Sequence, residues 1–118
     1  MNNTLQKNGE MGMKFKYHYD LYFSRSLERP TIKEEILCEL EEGRLDKNLY
    51  ILVLANNPKN NLEFFKVSYL QQEIYENQSF FVVGFAKNYD EAKELVLKIT
   101  EDVVTYTGGT RLREYFEL

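Results

Sequence analysis

Strict alternation opens the readable part of the chain. From Lys14 onward, Phe15, Tyr17, Tyr19, Leu21 and Phe23 fall on one side of an extended segment, and Lys14, Lys16, His18, Asp20 and Tyr22 on the other. A period of two predicts a half-buried strand. Its two lysines are of the kind that guard a sheet edge, which places the strand at or near one. Residues 49–55 (LYILVLA) and 79–86 (SFFVVGFA) are instead apolar almost without interruption. Such runs suit strands covered on both faces. Gly84 interrupts the second run, and a glycine inside a strand marks a bulge or a close approach. Helix packing against it is the expected reason.

Helical spacing follows each of the outer strands. Ala92, Leu95, Val96, Ile99 and Val103 form one apolar stripe. Asn88 is placed to cap that helix, with Glu91 three residues on to complete a capping box. Asp90 and Glu91 put negative charge at the positive end of the helix dipole, Glu94 and Lys98 are spaced for an ion pair, and Gly108-Gly109 supplies a stop. Earlier, Arg29-Pro30 breaks the first strand. Thr31 with Glu34 reads as a capping box and Gly43 as a terminator. Ile32, Ile36, Leu37 and Leu40 face inward, while Glu34, Glu35, Glu39, Glu41 and Glu42 crowd the other side. Residues 56–61 (NNPKNN) are a loop. Residues 61–76 fit a strand through Phe65, Val67 and Tyr69 as well as one or two short helical pieces, the second capped by Ser68 and Gln71; the helical reading is adopted. Leu112, Tyr115, Phe116 and Leu118 make the tail a short helical turn that packs down.

The expected architecture is α+β: a small three-stranded sheet with packed helices, in the order β-α-β-α-β-α. Residues 1–12 are polar and glycine-punctuated and are expected to be a mobile N-terminal segment, with residues 13–118 as one domain. Three strands are few for two that are covered on both faces. That conflict points to helices on both sides or to a second protomer, most simply a symmetric dimer.

The segment GFAKNYDEAKELVLKITEDVVTYTGGTRLREYF resembles the C-terminal half of an uncharacterised family of small proteins from low-GC Gram-positive bacteria, many of them associated with mobile genetic elements. The resemblance is carried by Gly84, Ala86 and Lys87, by Glu91-Ala92, by Thr107-Gly108, and by Arg113, Tyr115 and Phe116. With the similar outline of residues 49–62 it covers about the last two-thirds of the chain. It implies no activity, cofactor or site.

Composition narrows the functional classes. The 118 residues carry a formal charge of −4, which argues against a broadly basic nucleic-acid surface. The single cysteine, Cys38, permits no intramolecular disulfide and fits a reducing compartment, so a cytoplasmic location is expected. No apolar run has the length to span a bilayer, and residues 1–12 lack the apolar core of a secretory signal.

Residues able to do chemistry are sparse. His18, the sole histidine, lies two strand positions from Asp20, and such a pair can transfer protons. The alternative is an exposed strand histidine. Cys38 lies near the apolar side of its helix and reads as a small buried hydrophobe. One histidine and one cysteine exclude a structural zinc site within one chain. Thr107-Gly108-Gly109-Thr110-Arg111 could hold an anion, but it follows a helix, at the negative end, and reads as a plain stop. No catalytic, cofactor or metal residues are assigned.

What remains points to binding. Nine tyrosines and eight phenylalanines exceed the periodic core positions, and Tyr22 points off the predicted core face. Aromatic residues of this kind are enriched at protein interfaces. Tyr22, the acidic Glu34, Glu35, Glu39 and Glu42, and Arg111 and Arg113 are the interaction candidates; the two arginines could instead pair with the glutamates of the first helix. The expected function is non-enzymatic protein binding, including self-association, as an accessory factor of a mobile element or its host. The alternative is an acidic phage- or plasmid-type inhibitor of a nucleic-acid-binding enzyme.

Overall fold

The computed structural model describes residues 14–55 and 62–116. Within them four strands form one mixed sheet: β1 (Lys14–Phe23), β2 (Tyr50–Leu54), β3 (Leu62–Lys66) and β4 (Ser79–Ala86). The spatial order is β1-β4-β2-β3. β1 runs parallel to β4, while β2 lies antiparallel to both β4 and β3. The helices are α1 (Pro30–Glu41), α2 (Tyr89–Thr107) and the short α3 (Leu112–Tyr115).

The α+β class holds, but the sheet has a fourth strand. Residues 62–66 are β3, and only then come two 3₁₀ turns, Val67–Gln71 and Glu73–Tyr75. The first turn has Lys66 at its cap and no side-chain bond there, so the expected Ser68 cap does not form. Phe64 packs to one face and Phe65 to the other, so this short edge strand is half-buried on both sides and lacks clean alternation. The expected loop at residues 56–61, the segment 1–12 and Leu118 lie outside the described residues.

Each sheet face has its own cover. Ile51, Val53, Val82 and Phe85 meet Ile36 and Leu40 of α1 and Val67 and Leu70 of the 3₁₀ turn. Leu52, Leu54, Val83 and Ala86 meet Ala92, Leu95, Ile99 and Val103 of α2, with Phe116 closing the end. The uninterrupted runs of β2 and β4 are therefore buried between helices of their own chain. The cover that the two apolar runs require is thus supplied within one chain, the first of the two expected alternatives.

Bulges decide which residues reach which face. Leu52 pairs with Gly84 and Val53 with Val82, so Val83 is an extra residue in β4. Opposite, Tyr17 pairs with Val82 but Tyr22 pairs with Gly84, so residues 18–21 of β1 loop out of register. Gly84 is required by this strand, not by a helix: a Cβ there would sit 2.7 Å from the Tyr22 carbonyl oxygen. The alternation the sequence suggested holds at Phe15, Tyr17, Leu21 and Phe23, which face α1, and at Tyr22, which faces α2. Of the expected core side Tyr19 alone is turned out, at 81% exposure, while His18 keeps the Tyr22 side and is 8% exposed because Phe81 and Phe116 cover it.

The helix signals are mostly realised, with changes of partner. The Asn88 side chain accepts the Glu91 amide at 2.9 Å, and Gly108 ends α2 in the left-handed region (φ 77°). Gly43 (φ 81°) ends α1. There the Gly43 amide reaches the Leu40 carbonyl and the Arg44 amide the Glu39 carbonyl, a Schellman closure. The Thr31 capping box does not form, because Pro30 occupies the first helical position and puts Thr31 inside the turn. Lys98 pairs with Asp102 rather than Glu94, and Glu94 pairs with Arg25.

Candidate functional site

Two polar clusters, one buried and one half-buried, hold α2 to β1 and the turn after it. The first is built on Glu91, 3% exposed. Its side chain does not turn back to complete the capping box; it crosses to the 3₁₀ turn Arg25–Leu27 that follows β1. Ser24 Oγ donates to Oε1 at 2.6 Å and Ser26 Oγ to Oε2 at 2.5 Å. The Ser26 amide adds a longer contact of 3.3 Å, and the Arg25 guanidinium stands at 3.5 Å. Ser24 Oγ also accepts the Lys87 amide at 3.0 Å. Burial alone would raise the Glu91 carboxyl, but the hydroxyls, the amide and the arginine outweigh it and hold it below the ordinary carboxylate range. A cavity of about 170 Å³ opens beside it, between Arg25, Glu94, Leu95 and Lys98.

The second cluster centres on Tyr22. Its hydroxyl donates to Asp102 Oδ2 at 2.7 Å and shares a proton contact of 2.5 Å with the Tyr115 hydroxyl. Burial, then the bonds to Tyr115 and Asp102, push the Tyr22 phenol far above its ordinary value. Tyr22 is thus not a free surface aromatic. It points to the second core face and links β1, α2 and α3.

His18 sits next to that cluster. Its ring meets Phe116 edge-on at 4.9 Å and Phe81 at 6.2 Å. Nδ1 contacts only the Asp20 backbone, its carbonyl at 3.1 Å and its amide at 3.2 Å, and Nε2 is buried without a hydrogen-bond partner. The expected His18–Asp20 side-chain pair is not formed, because the imidazole packs against Phe81 and Phe116 and reaches only the Asp20 backbone.

The other candidates are dispersed. Glu34 and Glu35 are exposed on α1, Glu42 is exposed at its C-cap, and Glu39 is half-buried. Glu39 pairs with Lys47 and Arg44, and Glu42 with Arg44 at 2.8 Å. Arg111 bonds Glu114 at 2.7 Å and the Thr107 carbonyl, so it serves the end of α2 and not the glutamates of α1. Arg113 lines a cavity of about 230 Å³ with Lys16, Leu54 and Phe81. Cys38 is exposed, not buried; its contact with the Glu42 carboxylate pushes the thiol up, away from reactivity. On the side of β1 covered by α1, Tyr17 donates to Glu41 at 2.5 Å.

Chemistry is correspondingly limited. Among the described residues there is no cluster of three or more His, Cys, Asp and Glu suited to a metal, and no helix long and apolar enough to cross a membrane. The Glu91 carboxylate is an anion already satisfied by its own donors, an arrangement that fastens two elements together. No sequence signal announced it, since Ser24 and Glu91 are 67 positions apart. No protein-family model, no curated protein and no solved structure matches this chain.

Proposed function

We propose that the chain acts by binding another protein. The observation that carries this reading is Leu97 and Val104, two helical turns apart on the outward side of α2 and 66% and 44% exposed. The opposite stripe of the same helix, Ala92, Leu95, Ile99 and Val103, already seals the sheet. The outward pair lies away from the core, and it is the apolar surface of α2 that a protein contact would bury. An accessory role within a mobile element or its host is kept from the association of the family that residues 84–116 resemble, and a cytoplasmic location from the single cysteine.

The inhibitor reading draws on exposed Glu34, Glu35 and Glu42. It is the weaker of the two, because Arg44 and Lys47 offset the charge of Glu39 and Glu42. The test is affinity capture from a lysate of the encoding organism with wild type and with Leu97→Asp/Val104→Asp. Protein binding through α2 predicts a stoichiometric partner that the double variant loses. A partner of high pI, displaced by nucleic acid and by salt, would favour the inhibitor reading instead.

A further inference from the structure

The outer edge of β1 is a second surface with a defined chemistry. Among the described residues β1 ends the sheet on one side. The Lys14 amide bonds the Gln78 carbonyl of the β3–β4 connection at 2.9 Å, and Lys14 pairs in register with Ser79. In a parallel ladder alternate residues face the neighbour, so Lys14 and Lys16 spend their backbone groups on β4. The amides and carbonyls of Phe15 and Tyr17 are directed away from β4, to a side that no other described strand occupies. Beside them lies a cavity of about 530 Å³, walled by Phe15, Leu40 and Leu45 and rimmed by Lys14, Lys16 and Glu41. The Glu41 carboxylate is engaged by the Tyr17 hydroxyl. Among the described residues neither lysine forms an ion pair.

The geometry points to a docking edge for an extended acidic peptide segment of a partner protein. Its backbone would pair with Phe15 and Tyr17, an apolar side chain would enter the cavity, and carboxylates would meet Lys14 and Lys16. Lysines on an edge ordinarily discourage strand addition; here they select by charge, admitting acidic strands and repelling others. A second copy is disfavoured as the occupant, because two β1 edges brought together would bring lysines of like charge together. The inference rests on the protein-binding reading but uses a different surface from Leu97 and Val104.

The test uses the full chain, amide NMR and two synthetic peptides, Asp-Val-Glu-Leu-Glu-Val and the same peptide with lysine at each acidic position. The acidic peptide is expected to bind at least tenfold more tightly, to shift the Phe15 and Tyr17 amides, and to weaken with salt. Lys14→Glu/Lys16→Glu should reverse the preference. Equal binding of both peptides, no binding at millimolar concentration, or shifts confined to other elements would overturn the proposal. So would protection of the Phe15 and Tyr17 amides from exchange in the free protein, which would mean that the chain or a second copy already covers the edge. A natural partner that binds the double lysine variant undiminished would sustain protein binding while removing this edge from it.

Discussion

The Ser24 hydroxyl donates to the buried Glu91 carboxylate at 2.6 Å, joining the residue that follows β1 to the first turn of α2. Ser26 completes the clasp at 2.5 Å. Glu91→Gln keeps the shape but weakens charge-assisted bonds, and is expected to cost about 1 to 3 kcal/mol in urea unfolding at neutral pH. Ser24→Ala should cost less on the carboxylate side but also strips the Lys87 amide of its acceptor.

The same clasp gives stability a pH dependence. Because the folded state holds the Glu91 carboxyl below its ordinary value, its contribution is fully present above the ordinary carboxylate range and is lost as pH falls through the lowered value. Unfolding of wild type and Glu91→Gln should therefore differ most near pH 7 and converge in acid. A constant difference from pH 7 to pH 3 would contradict this account of Glu91.

Gly84→Ala tests the close approach of β1 and β4. The new methyl would stand 2.7 Å from the Tyr22 carbonyl, a backbone atom that cannot swing aside. A loss of about 1 to 3 kcal/mol is expected from overpacking, measured as a lower urea midpoint. A neutral effect would mean that the β1 bulge is freer than the register implies.

Much of this architecture was legible in sequence, and the failures share a cause. β2, β4 and α2 were readable because a continuous apolar run, a cap and a glycine stop each act locally. The bulges were not. Phe15, Tyr17, Leu21 and Phe23 share one face and Tyr22 the other, as alternation expects, but Tyr19 is turned out, and the side expected to be polar is covered, so that His18 packs on Phe116 and Tyr22 bonds Asp102. β3 hid because Phe64 and Phe65 pack to opposite faces. The Ser24–Glu91 and Tyr22–Tyr115 bonds depend on residues more than 60 positions apart, and pairing at that range leaves no local pattern.

Tyr22→Phe separates network from packing. Its ring contact with Phe116 survives, while the bonds to Asp102 and Tyr115 are lost, for an expected cost of about 0.5 to 1.5 kcal/mol. Because the wild-type phenol is held far above its ordinary value, absorbance at the phenolate band should be the same for both proteins until the fold is lost in base. A titrating tyrosine missing from the variant below that point would show that Tyr22 is exposed.

His18→Phe is expected to be neutral or stabilising. It removes Nε2, a buried polar atom with no partner, and it retains a ring against Phe81 and Phe116. The Asp20 amide loses an acceptor at an exposed residue, where water can replace it. Thermal unfolding of the variant decides this; a large fall in Tm would indicate that the imidazole has a bonding role in the fold.

Protein binding through the outward side of α2 is tested most directly by quantifying what co-purifies with wild type and with Leu97→Asp/Val104→Asp, after confirming that both unfold at the same temperature. The account predicts one partner near equimolar ratio with wild type and its loss from the variant. The same proteins recovered in equal amounts with both, or none with either, would contradict it.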